Sequence, residues 1–204
     1  MLGVVISTFN SVGSRRGSFL RALCRHLKWQ SDYLLYQWSL GGGGYLNNFM
    51  AAAGPERNSS IGILADNIVS TLSKIKNDRI GGPLGENGLA RPDLVESKYG
   101  GESINFVRAE LISMQRIFSK PGNTVGLHGF NWLLDRANAK YGDARLSDAI
   151  QAQFTDILIK LNLIYDLEKE VVNNPKQVVD VYESISKLQM LIESDMINGL
   201  NFSD

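Results

Sequence analysis

Residues 79–103 read RIGGPLGENGLARPDLVESKYGGES, and this stretch decides how the rest of the chain is read. Glycine and proline are too dense in it for a regular helix. Strongly helical patterns flank it on both sides. A long irregular segment inside a helical domain is uncommon unless it is functional or held by its own packing. Leu84, Leu89, Leu94 and Val95 supply apolar side chains for such packing. Glu96, Ser97, Tyr99 and Ser103 then place a carboxylate, two hydroxyls and a phenol on one short strip before the next helix. That strip is a candidate ligand site. The competing reading is a surface loop in which Glu96 and Ser103 cap the following helix or Glu96 pairs with Arg79 or Arg91.

Working outward, the flanks are amphipathic at helical spacing. Upstream, Ser59 or Ser60 opens a helix whose stripe is Ile61, Leu64, Ile68, Leu72 and Ile75, running to about Asp78. Downstream, a helix starts near Ser103 with Phe106, Val107, Leu111, Met114 and Phe118 on one face, and stops before Pro121-Gly122. Leu127 to Ala139 reads as a shorter helix burying Phe130, Leu133, Leu134 and Ala137. Ser147 opens another, with Ile150, Phe154, Ile157, Leu158 and Leu161 facing in. Asn173-Asn174-Pro175 is a helix start, with Asn174 as N-cap and Pro175 at the first position. The helix beyond it carries Val178, Tyr182, Ile185, Leu188, Ile192 and Met196. Asp166 to Glu170 reads as a solvated loop or helix face.

Toward the N-terminus, Phe19, Leu20, Leu23, Leu27, Leu34, Leu35 and Trp38 predict a helix over about 17–38 with one buried face. Gly41 to Gly44 stop it. No Lys-Ser/Thr comes after those glycines, so they are no phosphate loop and suit a hinge. Tyr45 to Ala53 forms a short helix before Gly54-Pro55. No stretch alternates at period two for long enough to be a strand. The expected fold is therefore all-α: about four long amphipathic helices plus short ones, packed stripe to stripe around a long ordered Gly/Pro-rich loop.

Composition narrows the function classes. The 204 residues carry 21 basic and 21 acidic side chains, so the net charge is zero and gives no overall footprint for nucleic acid. A single cysteine, Cys24, excludes an internal disulfide and a thiolate zinc cluster, and reads as a small core residue. No apolar run approaches the ~20 residues of a membrane span. Leu2 to Phe9 is apolar but short, and Arg15-Arg16 come after it instead of before it, so it does not read as a signal peptide. Of the two histidines, His26 lacks a carboxylate at helical spacing, while His128 is a weak candidate metal ligand beside Glu96. No Gly-x-Ser-x-Gly, Cys–His pair or His-Glu-x-x-His appears.

Asp93 to Ser103 resembles the Glu-Ser-x-Tyr segment of the imelysin family, which comprises exported, iron-regulated or insulin-cleaving bacterial proteins. Ile80 to Gly85 resembles that family's Gly-x-Pro-Leu-Gly turn, and Leu111 to Phe118 resembles the family's next helix. Order and spacing hold from about Arg15 to the C-terminus. The resemblance implies a C-terminal helical-bundle half over residues 15–204, with 1–14 an uncertain N-terminal segment. It implies metal or ligand binding linked to iron uptake, with iron or zinc as the cofactor and a periplasmic or outer-membrane-attached location, often as a lipoprotein. A missing N-terminal half or a second copy would be the partner. A metallopeptidase or a non-catalytic interaction bundle are the alternatives. Two departures stand out. The family's Gly-x-His-x-x-Glu motif is not found, because Gly126-Leu127-His128 leads to Asn131 where the glutamate should stand. Gly100 also replaces the usual serine after the tyrosine. If a partner half is needed, the first helix should leave its apolar face uncovered.

Overall fold

The computed structural model describes residues 15–85, 88–119, 128–200 and 202. The chain divides into two units, Met1–Ala53 and Gly54–Asp204. The expectations placed on Met1–Ser14, on Pro121-Gly122 and on a helix start at Leu127 lie outside the described residues.

In the first unit, α1 spans Arg15–Trp38 and α2 spans Tyr45–Ala51. The tetraglycine between them forms a hydrogen-bonded turn where a hinge was expected. Gly42 N–H donates to Ser39 O and Gly43 N–H to Tyr36 O. Gly41 and Gly44 take positive φ (74° and 94°), which only glycine adopts freely. The turn closes over Gln37, and a Cβ on Gly43 would collide with its amide. Trp38 anchors α2 edge-on against Tyr45 and Phe49. The expectation for the α1 stripe is overturned. Phe19, Leu20, Leu23, Leu27, Leu34, Leu35 and Trp38 are all exposed, as is Cys24. Periodicity shows that a helix has an apolar side; it does not supply the surface that covers it.

The second unit is an all-α bundle. Its helices are α3 (Ser60–Lys74), α4 (Ser103–Ser119), α5 (Phe130–Arg136), α6 (Leu146–Leu161), α7 (Leu167–Asn173) and α8 (Pro175–Met190). α6 packs against α4, α5 and α8. Its Leu146, Ile150, Phe154, Ile157 and Leu161 recur every three or four residues and are fully buried. Phe154 meets Phe118 of α4 with ring centroids 6.0 Å apart. Ile68 and Leu72 from α3, Ile75 just beyond its end, and Val178, Val181, Ile185 and Leu188 from α8 join them in the core. Three residues assigned to buried sides are exposed: Ile61 lies in the first turn of α3, Phe106 sits off the edge of α4's apolar arc, and Ala137 follows the end of α5.

Two local features depart from the sequence reading, and a third resolves its alternatives. The acidic run takes the helical one of its two expected forms, in α7: Asp166 caps the helix by accepting from Lys169 N–H, and Leu167 and Val171 on its other side are buried. Asn174 precedes Pro175 as expected but makes no side-chain cap; its amide nitrogen donates back to Glu170 at 2.6 Å. A two-residue antiparallel pair, β1 (Lys140–Tyr141) and β2 (Ala144–Arg145), turns at Gly142 with φ 58°. Strands of two residues are too short to show alternation.

Both α3 and α8 continue into π-helical turns, Ile75–Gly81 and Leu191–Met196. Such turns insert one residue per turn and re-aim the chain beyond them. The first leads directly into the irregular loop. Gly81 at its end leaves room for Tyr182 of α8, whose ring would lie 3.1 Å from an added Cβ. Core truncation should be costly where stripes converge: Phe154→Ala is expected to lose ~3–5 kcal/mol. Phe106→Ala, on the exposed edge of α4, should lose under ~1 kcal/mol. Urea unfolding of both variants checks the contrast.

Candidate functional site

The loop after the π turn is held at several points along its length. Gly85 N–H donates back to Gly81 and Gly82, and Arg91 N–H donates to Pro83 O at 2.8 Å. Val95 is buried and Leu84 is partly buried, so these two anchor the loop on the core. Leu89 and Leu94, expected to do the same, are exposed. The side chain of Arg91 forms a two-pronged pair with Asp93 (3.1 and 3.0 Å). Hydrogen bonding and charge from Arg91 hold the Asp93 carboxyl below its usual range.

Arg79 organises the far end. Its Nε lies 3.2 Å from Glu96 Oε2 and its Nη1 lies 2.9 Å from Glu110 Oε1. The second contact is off the N–H direction, so it is an ion pair more than a directed hydrogen bond. The Arg79 side chain is only 24% exposed, whereas the Glu96 side chain is 46% exposed. One shielded guanidinium on the π turn thus ties the loop to α4 and leaves the Glu96 carboxylate reachable from solvent.

The four residues of the predicted strip do not converge. Ser103 is buried and its hydroxyl accepts from Ser97 N–H at 3.0 Å, which is a structural closure of the loop onto the start of α4. Glu96 faces Arg79, and Tyr99 is 94% exposed. Gly100 and Gly101 N–H both donate to Ser97 O, forming a tight turn in which Gly101 has φ 68°. A Cβ at Gly100 would come 2.6 Å from the Ser97 hydroxyl, so a serine there would force Ser97 to rotate. His128 stacks on Trp132 with centroids 4.2 Å apart, and Arg136 covers the same indole at 5.3 Å. Among the described residues, no group of three or more His, Cys, Asp or Glu side chains is placed to hold a metal.

Two clefts border the loop. The larger, ~990 Å³, lies between it, the π turn, α7 and α8. It is lined mainly by Leu84, Leu89, Val171, Val179 and Tyr182, with Asn77 and Glu183 as polar points. The smaller, ~550 Å³, lies between Asn77, Gly82, Leu89, Arg91 and Leu94. The larger can take an apolar body with one or two polar groups.

Sequence reasoning missed a polar cluster between α6 and α8. Lys160 Nζ donates to Asp156 at 2.7 Å and to the Ser184 hydroxyl, which in turn donates to Asp156 at 2.8 Å. The buried amide of Gln153 donates to Ser184 O at 3.0 Å. The cluster borders a cleft of ~600 Å³. Asp156 and Lys160 stand four residues apart, the usual helical ion-pair spacing, but Ser184 comes from the other helix and has no local signal. A serine nucleophile would need a free base. The Lys160 ammonium is committed to Asp156, so the cluster joins two helices instead. Burial pushes the Asp156 carboxyl up, but hydrogen bonds from Lys160 and Ser184 and the charges of Lys160 and Lys187 outweigh it and set it below the ordinary value.

The chain matches no known family model, no curated protein and no solved structure.

Two outcomes test this geometry. Arg79→Met leaves two carboxylates without their shared cation and should cost about 1–2 kcal/mol, between an exposed and a buried ion pair. Glu96→Gln should cost under ~1 kcal/mol, because Glu110 still holds Arg79. Guanidinium unfolding of both variants and the double variant measures the coupling. Separately, a carboxyl whose folded pKa is depressed adds stability above its unfolded pKa of about 4, and that stability is lost as pH falls through the lower folded value. Asp156→Asn should therefore flatten the acid limb of the stability–pH curve and lower the neutral plateau.

Proposed function

We propose that this chain is a ligand- or metal-binding C-terminal half of the imelysin type, linked to iron uptake and periplasmic or outer-membrane-attached. The Glu96 carboxylate contributes to the site, and a second body completes it. One observation carries this reading. The segment with the family-like residues is tied down by a shielded arginine and presents a half-exposed Glu96 carboxylate, while its earlier part, from Leu84 to Leu94, borders two clefts that Glu96 itself does not line. A merely connecting loop needs no such fixation. The exposed apolar face of α1 agrees with a second body, since that reading calls for an uncovered surface. The metallopeptidase reading gains no support among the described residues, which offer no three-ligand group to hold a catalytic metal.

Calorimetric titration with iron and with zinc tests the proposal. Binding is expected to weaken at least tenfold in Glu96→Ala, with far-UV circular dichroism and melting temperature nearly unchanged. If neither metal binds, or if binding is the same in that variant, the reading fails. A large loss of thermal stability in Glu96→Ala would instead make Glu96 a structural tie of the loop.

A further inference from the structure

The zero net charge of the chain conceals a split. Residues 1–53 hold five basic side chains (Arg15, Arg16, Arg21, Arg25 and Lys28) against one acid, Asp32. Residues 54–204 hold the other 16 basic and 20 acidic side chains. The first unit is thus net +4 and the second net −4. Lys28 is paired with Asp32 at 2.7 Å on the same helix.

On α1, Arg21, Arg25 and Lys28 face away from an apolar stripe, whereas Arg16, in the first turn, falls within it. At 3.6 residues per turn, Phe19, Leu20, Leu23, Leu27, Leu34 and Trp38 fall along one stripe, and Arg21, Arg25 and Lys28 fall on the far side. The stripe is open: Phe19 is 66%, Leu27 65% and Leu34 55% exposed. With Leu35, seven large side chains at roughly 100 Å² each offer on the order of 700 Å², close to the ~800 Å² per partner of a stable interface.

We infer that α1 is a self-association surface, and that the body covering its apolar stripe is a second copy of this chain. The inference rests on the proposed need for a second body, and it names that body. A two-fold pair brings stripe against stripe and turns Arg21, Arg25 and Lys28 outward; in an antiparallel pair the two Arg16 side chains, in the first turn of each helix, stand at opposite ends. Each copy also brings its own acidic second unit, so two copies meet without net repulsion. A lipid surface is the other occupant that such an amphipathic helix takes, and the vesicle measurement below separates the two.

Light scattering on the full chain, coupled to size exclusion over a concentration series, tests this. The expected mass is twice the 22.6 kDa of one chain. Leu23→Glu with Leu27→Glu should return it to one chain with helix content retained. Arg21→Glu with Arg25→Glu, on the opposite side of the same helix, should leave the dimer intact. A single-chain mass at every concentration overturns the inference, and so does a dimer that survives the leucine changes or is lost with the arginine changes. Flotation of a single-chain species with phosphatidylglycerol vesicles would assign the stripe to lipid and overturn it as well. A dimer that binds neither iron nor zinc leaves this inference standing and removes the binding reading. A single-chain species that binds metal through Glu96 does the reverse.

Discussion

Arg79 is the constraint on which the candidate site depends. A long Gly/Pro-rich segment loses much backbone entropy on becoming ordered, about 1–2 kcal/mol per residue. Apolar contacts offset part of that: Pro83 and Val95 are buried, and Leu84 and Ala90 pack partly buried against the core. The remainder comes from polar ties: Ser97 N–H closes on the Ser103 hydroxyl at the start of α4, and Arg79 bridges Glu96 of the loop to Glu110 of α4. Its position matters as much as its charge. It sits on the π turn, where the inserted residue re-aims the end of α3. Lysine, a single point charge, would not span two carboxylates in the same way.

The bundle is legible in the sequence, and the reason is geometric. α6 and α8 repeat apolar residues at three and four over four turns, and such a stripe has one stable fate inside a bundle. The loop is legible as a loop because Pro83, Pro92 and the glycines exclude a helix. The site is only partly legible. Glu96, Ser97, Tyr99 and Ser103 are neighbours in sequence, which invites the reading that they act together. Backbone turns separate them: the Ser97–Gly101 turn sends Tyr99 outward and Ser103 inward. Glu110 and Ser184 join clusters from other helices, and residue spacing carries no trace of such contacts.

The open stripe of α1 departs from expectation for a different reason. A sequence window reports a helix's polarity, while burial depends on a second surface that the window does not contain. Cys24 shares the error, since its expected burial is inherited from the stripe beside it. The tetraglycine departs for a third reason. Glycine permits a hinge and equally permits a tight turn over Gln37, and only the neighbouring side chain decides which forms.

Net charge misleads in the same manner. A sum of zero suggests the absence of an electrostatic footprint, yet the sum averages a basic segment with an acidic one. Screening makes the local balance the relevant quantity, because exposed charges act over about 8–10 Å and not over a whole chain. On that scale α1 is an apolar stripe backed by cations, and the bundle is predominantly acidic.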